Sequence, residues 1–317
     1  MSVELTHSKR RVMEHHIPFR FVIAVPLCIG GWIASAPLHA QGILDQMPPE
    51  VNIARAYGQS VQPFFEGWQR NSDGTISMWF GYLNRNATEE LDIPVGADNK
   101  FEPGSPDRGQ PTHFLTSPRR RMFVFKVDLP KDWDKEKRLT WTITARGQTS
   151  SAHGWLQREW EVDNGVREEN GNGIVRGAPN YDPPNQPPVI TSSPSQTIGV
   201  GQALKLTASA TDDGIPKPRK RPAIGPDGAP VGPAGRPQGL WIRWILYRAP
   251  VTGGHVTFSK ESSTPVYGQT VECPTEATFS APGEYWLQAI ANDGGLDSMY
   301  DIKVTVTSAS TAGAGGR

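Results

Sequence analysis

Glycine and proline set the strongest limit on how this chain folds. The 317 residues include 33 Gly and 29 Pro, about one residue in five. Both residue types are unfavourable inside helices and common in the turns of all-β folds. The composition therefore argues against a helical bundle or a large α/β enzyme. The length allows two domains of ordinary size.

Residues 1–40 have the pattern of a secretory signal peptide. A basic region holds Lys9, Arg10, Arg11 and Arg20, the stretch 21–35 is mostly apolar, and small residues precede Gln41. A membrane anchor is the alternative, but the apolar run is shorter than the ~20 residues that a spanning helix needs. The pattern predicts export to the periplasm or cell surface, with no integral membrane span once the signal is removed.

Removal of residues 1–40 changes the charge and the cysteine content. That segment holds four basic and two acidic residues out of 32 of each, so 28 basic and 30 acidic residues remain. A slightly acidic, exported chain disfavours nucleic acid as a partner. Cys273 is then the one cysteine left, which excludes an internal disulfide and leaves stability to the core. This combination favours a bacterial envelope protein.

A segment rich in proline and glycine, 165–188, predicts the domain boundary. It separates an antiparallel β domain at 60–164, preceded by an N-terminal segment at 41–59, from a β-sandwich at 189–307 and a disordered tail at 308–317. Proline-rich segments are extended and stiff, so this linker is predicted to be a spacer. The predicted fold class is all-β, with two antiparallel β-sandwich-type domains joined by this linker.

Period-two alternation of apolar residues supports the strands of the first domain. One strand face carries Ile76, Met78, Phe80 and Tyr82; a second carries Phe123, Phe125, Val127 and Leu129; a third carries Leu139, Trp141, Ile143 and Ala145. Six further strand-like runs follow in the second half, beginning at 203, 240, 255, 277, 285 and 301.

The second half resembles bacterial immunoglobulin-like domains of the PKD and cadherin-like type over residues 190–307. The resemblance rests on Trp244 in mid-strand and on Pro282-Gly-Glu-Tyr285 as a tyrosine corner. It also rests on the segments 187–190 and 201–206, which resemble the first two strands of such domains. Leu287 stands where antibody domains have their second disulfide cysteine, which implies a disulfide-free version. No family is identified for the first domain.

Two acidic loops follow strands that end on the same side of such a sandwich. They hold Asp212, Asp213, Asn292, Asp293 and Asp297. Ca²⁺ takes six to eight oxygen ligands from such side chains, so a structural Ca²⁺ site is one prediction. The alternative, which we favour, is that Asp, Asn and Gly only form turns here.

A long insertion, 214–239, separates two strands and is rich in Pro and Gly. Its basic residues include Lys217, Arg219, Lys220 and Arg221. Such a loop either binds an acidic partner or is a solvated, mobile insertion, and the sequence gives the two readings equal weight.

Two sets of residues in the first domain are candidates for ligand binding. Asp107, Arg108, Gln110 and His113 could line a polar site on a loop, although capping and protection of a sheet edge explain them more simply. The tryptophans could stack on sugar rings; Trp79 and Trp133 are the best candidates for exposure, although tryptophan is usually buried.

Catalytic motifs are missing from the sequence. It has no Gly-x-Ser-x-Gly, no His-Glu-x-x-His and no phosphate-binding loop. The leading hypothesis is a non-enzymatic, exported binding or assembly module of the bacterial envelope whose partner is an envelope protein or glycan. The alternatives are a carbohydrate-binding protein and an accessory or degenerate hydrolase subunit. No cofactor is expected other than the possible Ca²⁺.

Overall fold

The structure, a computed structural model, describes residues 55–170, 182–217, 239–266, 268 and 270–308. All the described residues belong to one compact unit of the chain. The predicted signal peptide lies outside the described residues, as do most of 41–59 and of the insertion, part of the linker, and the tail beyond 308. No helix among the described residues is long and apolar enough to cross a membrane.

Eight antiparallel strands form the first domain. They are β1 (Val61–Arg70), β2 (Ile76–Asn84), β3 (Leu91–Asp92), β4 (Asn99–Glu102), β5 (His113–Phe114), β6 (Arg120–Leu129), β7 (Leu139–Ala145) and β8 (Gln148–Gly154). The sheet orders are β1-β2-β6, β4-β7-β8 and β3-β5. A turn closed by the Gly74 N–H on the Asn71 carbonyl oxygen (2.9 Å) connects β1 to β2, and Gly74 adopts a φ of +85° there.

Aromatic rings fill the core between the two three-stranded sheets. Trp141 is fully buried, and its ring lies 5.0 Å from Phe125, 5.9 Å from Phe101 and 6.1 Å from Phe80 between centroids. Its indole N–H donates to Asn99 Oδ1 at 2.9 Å, which satisfies the one polar atom of the ring. The prediction from alternation that Trp141 is a core residue is confirmed.

Strand β6 departs from simple alternation. Residues 122–124 of β6 lie opposite the single residue Gly81 of β2, which is a β-bulge. Phe123 takes a φ of +50° in this bulge, and its ring turns to the opposite face, 6.1 Å from the ring of Trp79. The prediction that Phe123 shares a face with Phe125 is therefore wrong, because the extra residues shift the period.

Eight more strands form the second domain, a β-sandwich. They are β9 (Val189–Ser192), β10 (Gln196–Gly199), β11 (Ala203–Thr211), β12 (Trp241–Arg248), β13 (Val256–Phe258), β14 (Thr270–Phe279), β15 (Gly283–Asn292) and β16 (Asp297–Thr307). The sheets are β13-β14-β11-β9 and β10-β16-β15-β12, antiparallel except that β10 runs parallel to β16. The all-β prediction is confirmed.

Three core residues of this sandwich lie where the resemblance predicts them. Trp244 is buried and donates its indole N–H to the Cys273 carbonyl oxygen at 3.1 Å. Leu287 is fully buried. The Tyr285 hydroxyl donates to the carbonyl oxygen of Ala281 at 2.8 Å, which is the hydrogen bond of a tyrosine corner. Cys273 is buried and unpaired, consistent with a core that has no disulfide.

The segment predicted as an extended linker begins with a helix, α1 (Asn164–Asn170). Asp163 Oδ1 accepts the N–H of Val166 at 2.9 Å, as a helix N-cap does. Arg167 of this helix is buried, with its guanidinium 4.2 Å from the ring centre of Trp79. Capping and this stacking explain why the segment starts helical although its composition favours an extended chain.

The tyrosine corner gives a first prediction. Replacing Tyr285 with Phe leaves the ring in place and removes the hydrogen bond to Ala281, so the free energy of unfolding should fall by about 1 kcal/mol. Urea unfolding followed by tryptophan fluorescence measures the change. Tyr57→Phe, at a side chain 74% exposed, is the matched control and should change nothing; equal stability of the two variants would contradict the prediction.

Candidate functional site

The two domains meet through a hydrogen-bonded ion pair. Arg248, the last residue of β12, donates from both terminal nitrogens to Asp107, at 2.9 Å to Oδ2 and 2.7 Å to Oδ1. Its Nε donates to the carbonyl oxygen of Gln110 at 2.8 Å. Such two-point contacts of arginine with a carboxylate fix orientation as well as distance. We call this contact region between β12 and residues 107–117, a segment that includes β5, the junction.

Neighbouring residues of β12 extend the junction. The Tyr247 hydroxyl donates to the carbonyl oxygen of Gly109 at 2.6 Å, and the Ala249 N–H donates to the Thr112 hydroxyl at 3.2 Å. Further along, Ile245 and Ile290 pack with Leu115 of the first domain. The junction therefore combines polar and apolar contacts.

Trp286 of β15 supports the arginine of the junction from its other face. The Arg248 guanidinium lies 4.3 Å from the ring centre of Trp286, and the Lys303 ammonium lies 4.4 Å from it. Cations over an indole face are attracted by its electron-rich ring. Arg248 is thus held by a carboxylate, a carbonyl oxygen and an aromatic face at once.

The loop proposed from sequence as a ligand site contributes to this junction. Asp107 pairs with Arg248, and the pKa of its carboxyl is lowered chiefly by that hydrogen bond. Gln110 is fully buried and its amide donates to Pro106, while Arg108 donates to Pro103. A contact between domains explains Asp107 and Gln110 without a ligand. A ligand role for this loop stays a prediction.

His113 of the same predicted set lies in a separate group of charges. Its Nδ1 is 2.8 Å from Asp92 and its Nε2 is 3.1 Å from Glu90. Burial alone would lower the pKa of His113, but the hydrogen bonds and charges of the two carboxylates outweigh it and raise the pKa to about 9. The imidazole is therefore a cation at neutral pH, which suits an ion pair and does not suit a general base.

The predicted Ca²⁺ ligands divide into two groups. Three of them have hydrogen bonds that hold loops: Asn292 accepts from Trp241 and donates to Asp297, and Asp213 accepts the N–H of Gln186 at 3.2 Å. The other two, Asp212 and Asp293, each keep one buried carboxylate oxygen without a hydrogen-bond partner. Burial raises the pKa of Asp293 to about 7.

Two further residues belong to this acidic region and were missed in the sequence. Glu168 of α1 is 4% exposed, and Asn185 donates to its Oε1 at 3.2 Å. Burial raises the pKa of Glu168, and the charge of Asp213 adds to this effect. Both residues lie in the predicted linker, which the sequence treats as a spacer, so nothing in the local pattern pointed to them.

The two tryptophans predicted as exposed are less open to solvent than expected. Trp79 is only 7% exposed, enclosed by Phe123, Val162 and Arg167, so the prediction of exposure is wrong for it. Trp133 is half-buried and carries the Lys137 ammonium 4.6 Å from its ring centre. Trp79 therefore offers no open face to a sugar, and one face of Trp133 is covered by a cation.

An open groove lined by other aromatic residues lies beside β1 and β8. Its volume is about 380 Å³. Trp160 is 44% exposed, and its ring centre lies 5.6 Å from that of Phe65 with the two planes tilted by 41°. Trp155 carries the Arg138 guanidinium 4.1 Å from its ring centre. His153 lines the same groove. We call it the aromatic groove. Both tryptophans follow the end of β8, outside any alternating run, so period-two reasoning could not assign their exposure.

The polar face of β7 and β8 continues from the aromatic groove. Cross-strand pairs run along it: Thr142 with Ser151 at 3.0 Å, Thr144 with Thr149 at 2.9 Å, and Thr140 with His153 at 3.0 Å. The face therefore offers a row of uncharged hydroxyl groups next to aromatic rings.

Other predicted sites can be placed only in part. Lys217 is exposed at the start of the insertion, whereas Arg219, Lys220 and Arg221 lie outside the described residues. Across the residues that the structure covers, no three His, Cys, Asp or Glu side chains are grouped at the spacing of metal ligands.

Comparison with known proteins gives no family. No family model matches the chain, and no curated protein matches it. The D00-D0 domain of intimin is similar in structure at 10% identity, over 78% of this chain and 100% of that chain, with a TM-score of 0.23. Fibronectin(III)-like modules of Clostridium thermocellum CbhA match at 10% identity over 81% and 100%, with a TM-score of 0.22. TM-scores this low support no conclusion about function.

The junction gives a second prediction. Arg248→Ala removes three hydrogen bonds to the first domain and the stacking on Trp286, so the free energy of unfolding should fall by about 2 kcal/mol. Differential scanning calorimetry measures it and also reports whether the two domains begin to unfold separately. Arg158→Ala, at an exposed arginine, is the control. If the Arg248 variant is as stable as this control, the ion pair does not contribute to the free energy of unfolding.

His113 gives a third prediction, on pH. Its folded-state pKa of about 9 lies above the ordinary value of 6.5. The charged imidazole of His113 therefore stabilises the folded state fully at pH values below its ordinary pKa. This stabilisation is lost as the pH rises through the pKa that His113 has in the folded state. His113→Gln should lower the free energy of unfolding by about 1–2 kcal/mol more at about pH 6 than at about pH 10. Urea unfolding at both values, with exposed His255→Gln as control, measures this; a pH-independent difference would refute it.

Proposed function

We propose that this chain is an exported, non-enzymatic binding or assembly module of the bacterial envelope. The secretory pattern of residues 1–40 supports export. The two sandwiches joined at the junction supply a scaffold, and His113, charged at neutral pH, does not suit acid–base chemistry.

The aromatic groove is the observation that carries a binding role. Most large apolar side chains of the described residues are buried, yet Trp160 remains 44% exposed beside Phe65 and Trp155. Concave sites with aromatic walls and a few polar groups are the usual form of a ligand site. The groove is formed by strands and by the chain that leaves β8, so a ligand there would meet a surface already shaped.

Export and binding are tested together. The chain is expressed with residues 1–40 in place, and the periplasmic product is analysed by mass spectrometry for loss of that segment. The purified product is then immobilised and exposed to envelope extract, with and without glycosidase treatment. Retention in the cytoplasm refutes export. Capture of one protein that resists the glycosidase supports assembly, and capture of glycan that treatment abolishes supports the second candidate.

Carbohydrate binding is the second candidate, and the hydroxyl face beside the aromatic groove favours it. Sugar rings present apolar faces to aromatic side chains and hydroxyl groups to hydrogen-bonding side chains. Trp160 supplies the first kind of surface, and Thr142 with Ser151 supplies the second. The tryptophans that carry this candidate differ from the two expected in the sequence.

Trp160 gives a fourth prediction. Trp160→Ala removes the most exposed ring of the aromatic groove, and binding of the captured ligand should weaken by about 10-fold or more, as loss of one buried aromatic contact does. Isothermal titration calorimetry measures the affinity. Trp133→Ala is the matched control, and circular dichroism confirms that both variants fold. If Trp133→Ala loses binding and Trp160→Ala keeps it, the groove is not the site.

A further inference from the structure

We propose that a divalent cation, Ca²⁺ by the chemistry of its ligands, binds where the loops that carry Asp212 and Asp293 meet the segment that carries Asn185 and Glu168. The ion would link the segment that connects the domains, the predicted linker 165–188 (here called the connecting segment), to two loops of the second sandwich. This site is separate from the aromatic groove, so its test does not depend on the proposed function.

Asp293 is the centre of the site because its position is fixed and half of its carboxylate is unsatisfied. Its Oδ1 accepts the N–H groups of Gly295 at 2.6 Å and Leu296 at 2.7 Å, which holds the side chain in the β15–β16 loop. The residue is 3% exposed, and no group donates to Oδ2 with hydrogen-bond geometry, although the Asn185 amide is close enough to lower the pKa of this carboxyl. A buried carboxylate oxygen without a partner is costly when it is ionised, and coordination of a metal is one of the ways in which proteins compensate this cost.

Asp212 supplies the second carboxylate, from the loop that leaves β11. Its Oδ2 accepts the N–H of Gly214 at 2.9 Å, and its Oδ1 is buried without a partner. The Asp212 loop contacts the segment that carries Asn185, because the neighbouring Asp213 accepts the N–H of Gln186 at 3.2 Å. The charge of Asp212 also contributes to the raised pKa of Asp293. Two loops that end on one side of the sandwich therefore each direct a fixed carboxylate into the same region.

Asn185 and Glu168 close the site from the connecting segment. Asn185 is 3% exposed; its Nδ2 donates to Glu168 at 3.2 Å, and its Oδ1 is buried without a partner. Glu168 packs on the loop that holds Asp293, because a Cβ on Gly295 would lie 2.5 Å from Glu168 Oε1. The unpartnered Oδ1 of Asn185 is the amide oxygen that such an ion would take as a ligand.

Within the described residues, no positive side chain forms an ion pair with these carboxylates. Of the ion pairs found in the described residues, none includes Asp212, Asp293 or Glu168. Arg167 is adjacent to Glu168 in sequence, but its guanidinium stacks on Trp79. Buried carboxylates that are not paired with a cationic side chain are either protonated or bound to a metal ion.

The ligand types select the ion. Three acidic side chains are not grouped at metal spacing in the described part of the chain, so the ion would have two carboxylate ligands and one amide oxygen. Backbone carbonyls and water would complete its shell. Ca²⁺ accepts six to eight oxygen ligands in flexible geometry, whereas Mg²⁺ requires a near-ideal octahedron. A site shared between two loops and a connecting segment suits the more tolerant ion.

The test compares the whole chain with and without metal. Protein treated with EDTA is titrated with CaCl₂, and the melting temperature should rise by about 5–10 °C when Ca²⁺ reaches a hundredfold excess over its Kd. Tb³⁺ is a second probe, because Trp241, hydrogen-bonded to Asn292, can sensitise its emission; excess Ca²⁺ should displace it. A chain whose melting temperature and Tb³⁺ emission do not respond to these ions overturns the proposal.

Asp293→Asn separates metal binding from a purely structural role. The amide keeps an oxygen for Gly295 and Leu296 and removes the buried charge, so this variant should melt higher than the wild type in EDTA and lose the Ca²⁺ response. Asp212→Asn should also lose the response, and it serves if Asp293→Asn does not fold. Exposed Asp132→Asn is the matched control and should keep it. A Ca²⁺ response that survives in both loop variants refutes the site.

Discussion

The arrangement of the two domains depends on the contact between Arg248 and Asp107. An arginine that ends a core strand of one sandwich forms two hydrogen bonds with a loop carboxylate of the other. Because the same guanidinium also donates to a carbonyl oxygen and lies on Trp286, its position is determined from three directions. The apolar contacts of Leu115 with the second domain add to these polar contacts.

The fold was predictable where side chains alternate without interruption. In β7 the burial pattern follows the sequence, and Trp141 lies in the core as its neighbours indicate. In β6 the bulge moves Phe123 to the other face, because extra residues in one strand leave no mark on its hydrophobicity. Trp160 lies after β8, the last strand of the first domain, where the sequence has no alternation of apolar and polar residues from which its exposure could be predicted.

The candidate sites were predictable only within single elements. The loops that carry Asp212 and Asp293 were expected at one end of the sandwich, because strand order determines which loops are neighbours. Their association with Glu168 depends on how the connecting segment packs, and composition alone suggested a solvated spacer there. Asp107 looked like a ligand residue because a polar loop has the same sequence signature whether it faces solvent or another domain.

Cys273 has a practical consequence. It is the one cysteine outside the predicted signal peptide, and it is buried and unpaired in the core of the second sandwich. A thiol introduced on the surface would therefore be the one group open to a maleimide dye, with no native residue to remove first. Dyes placed on either side of the junction would report distances between the two sandwiches in the otherwise natural chain.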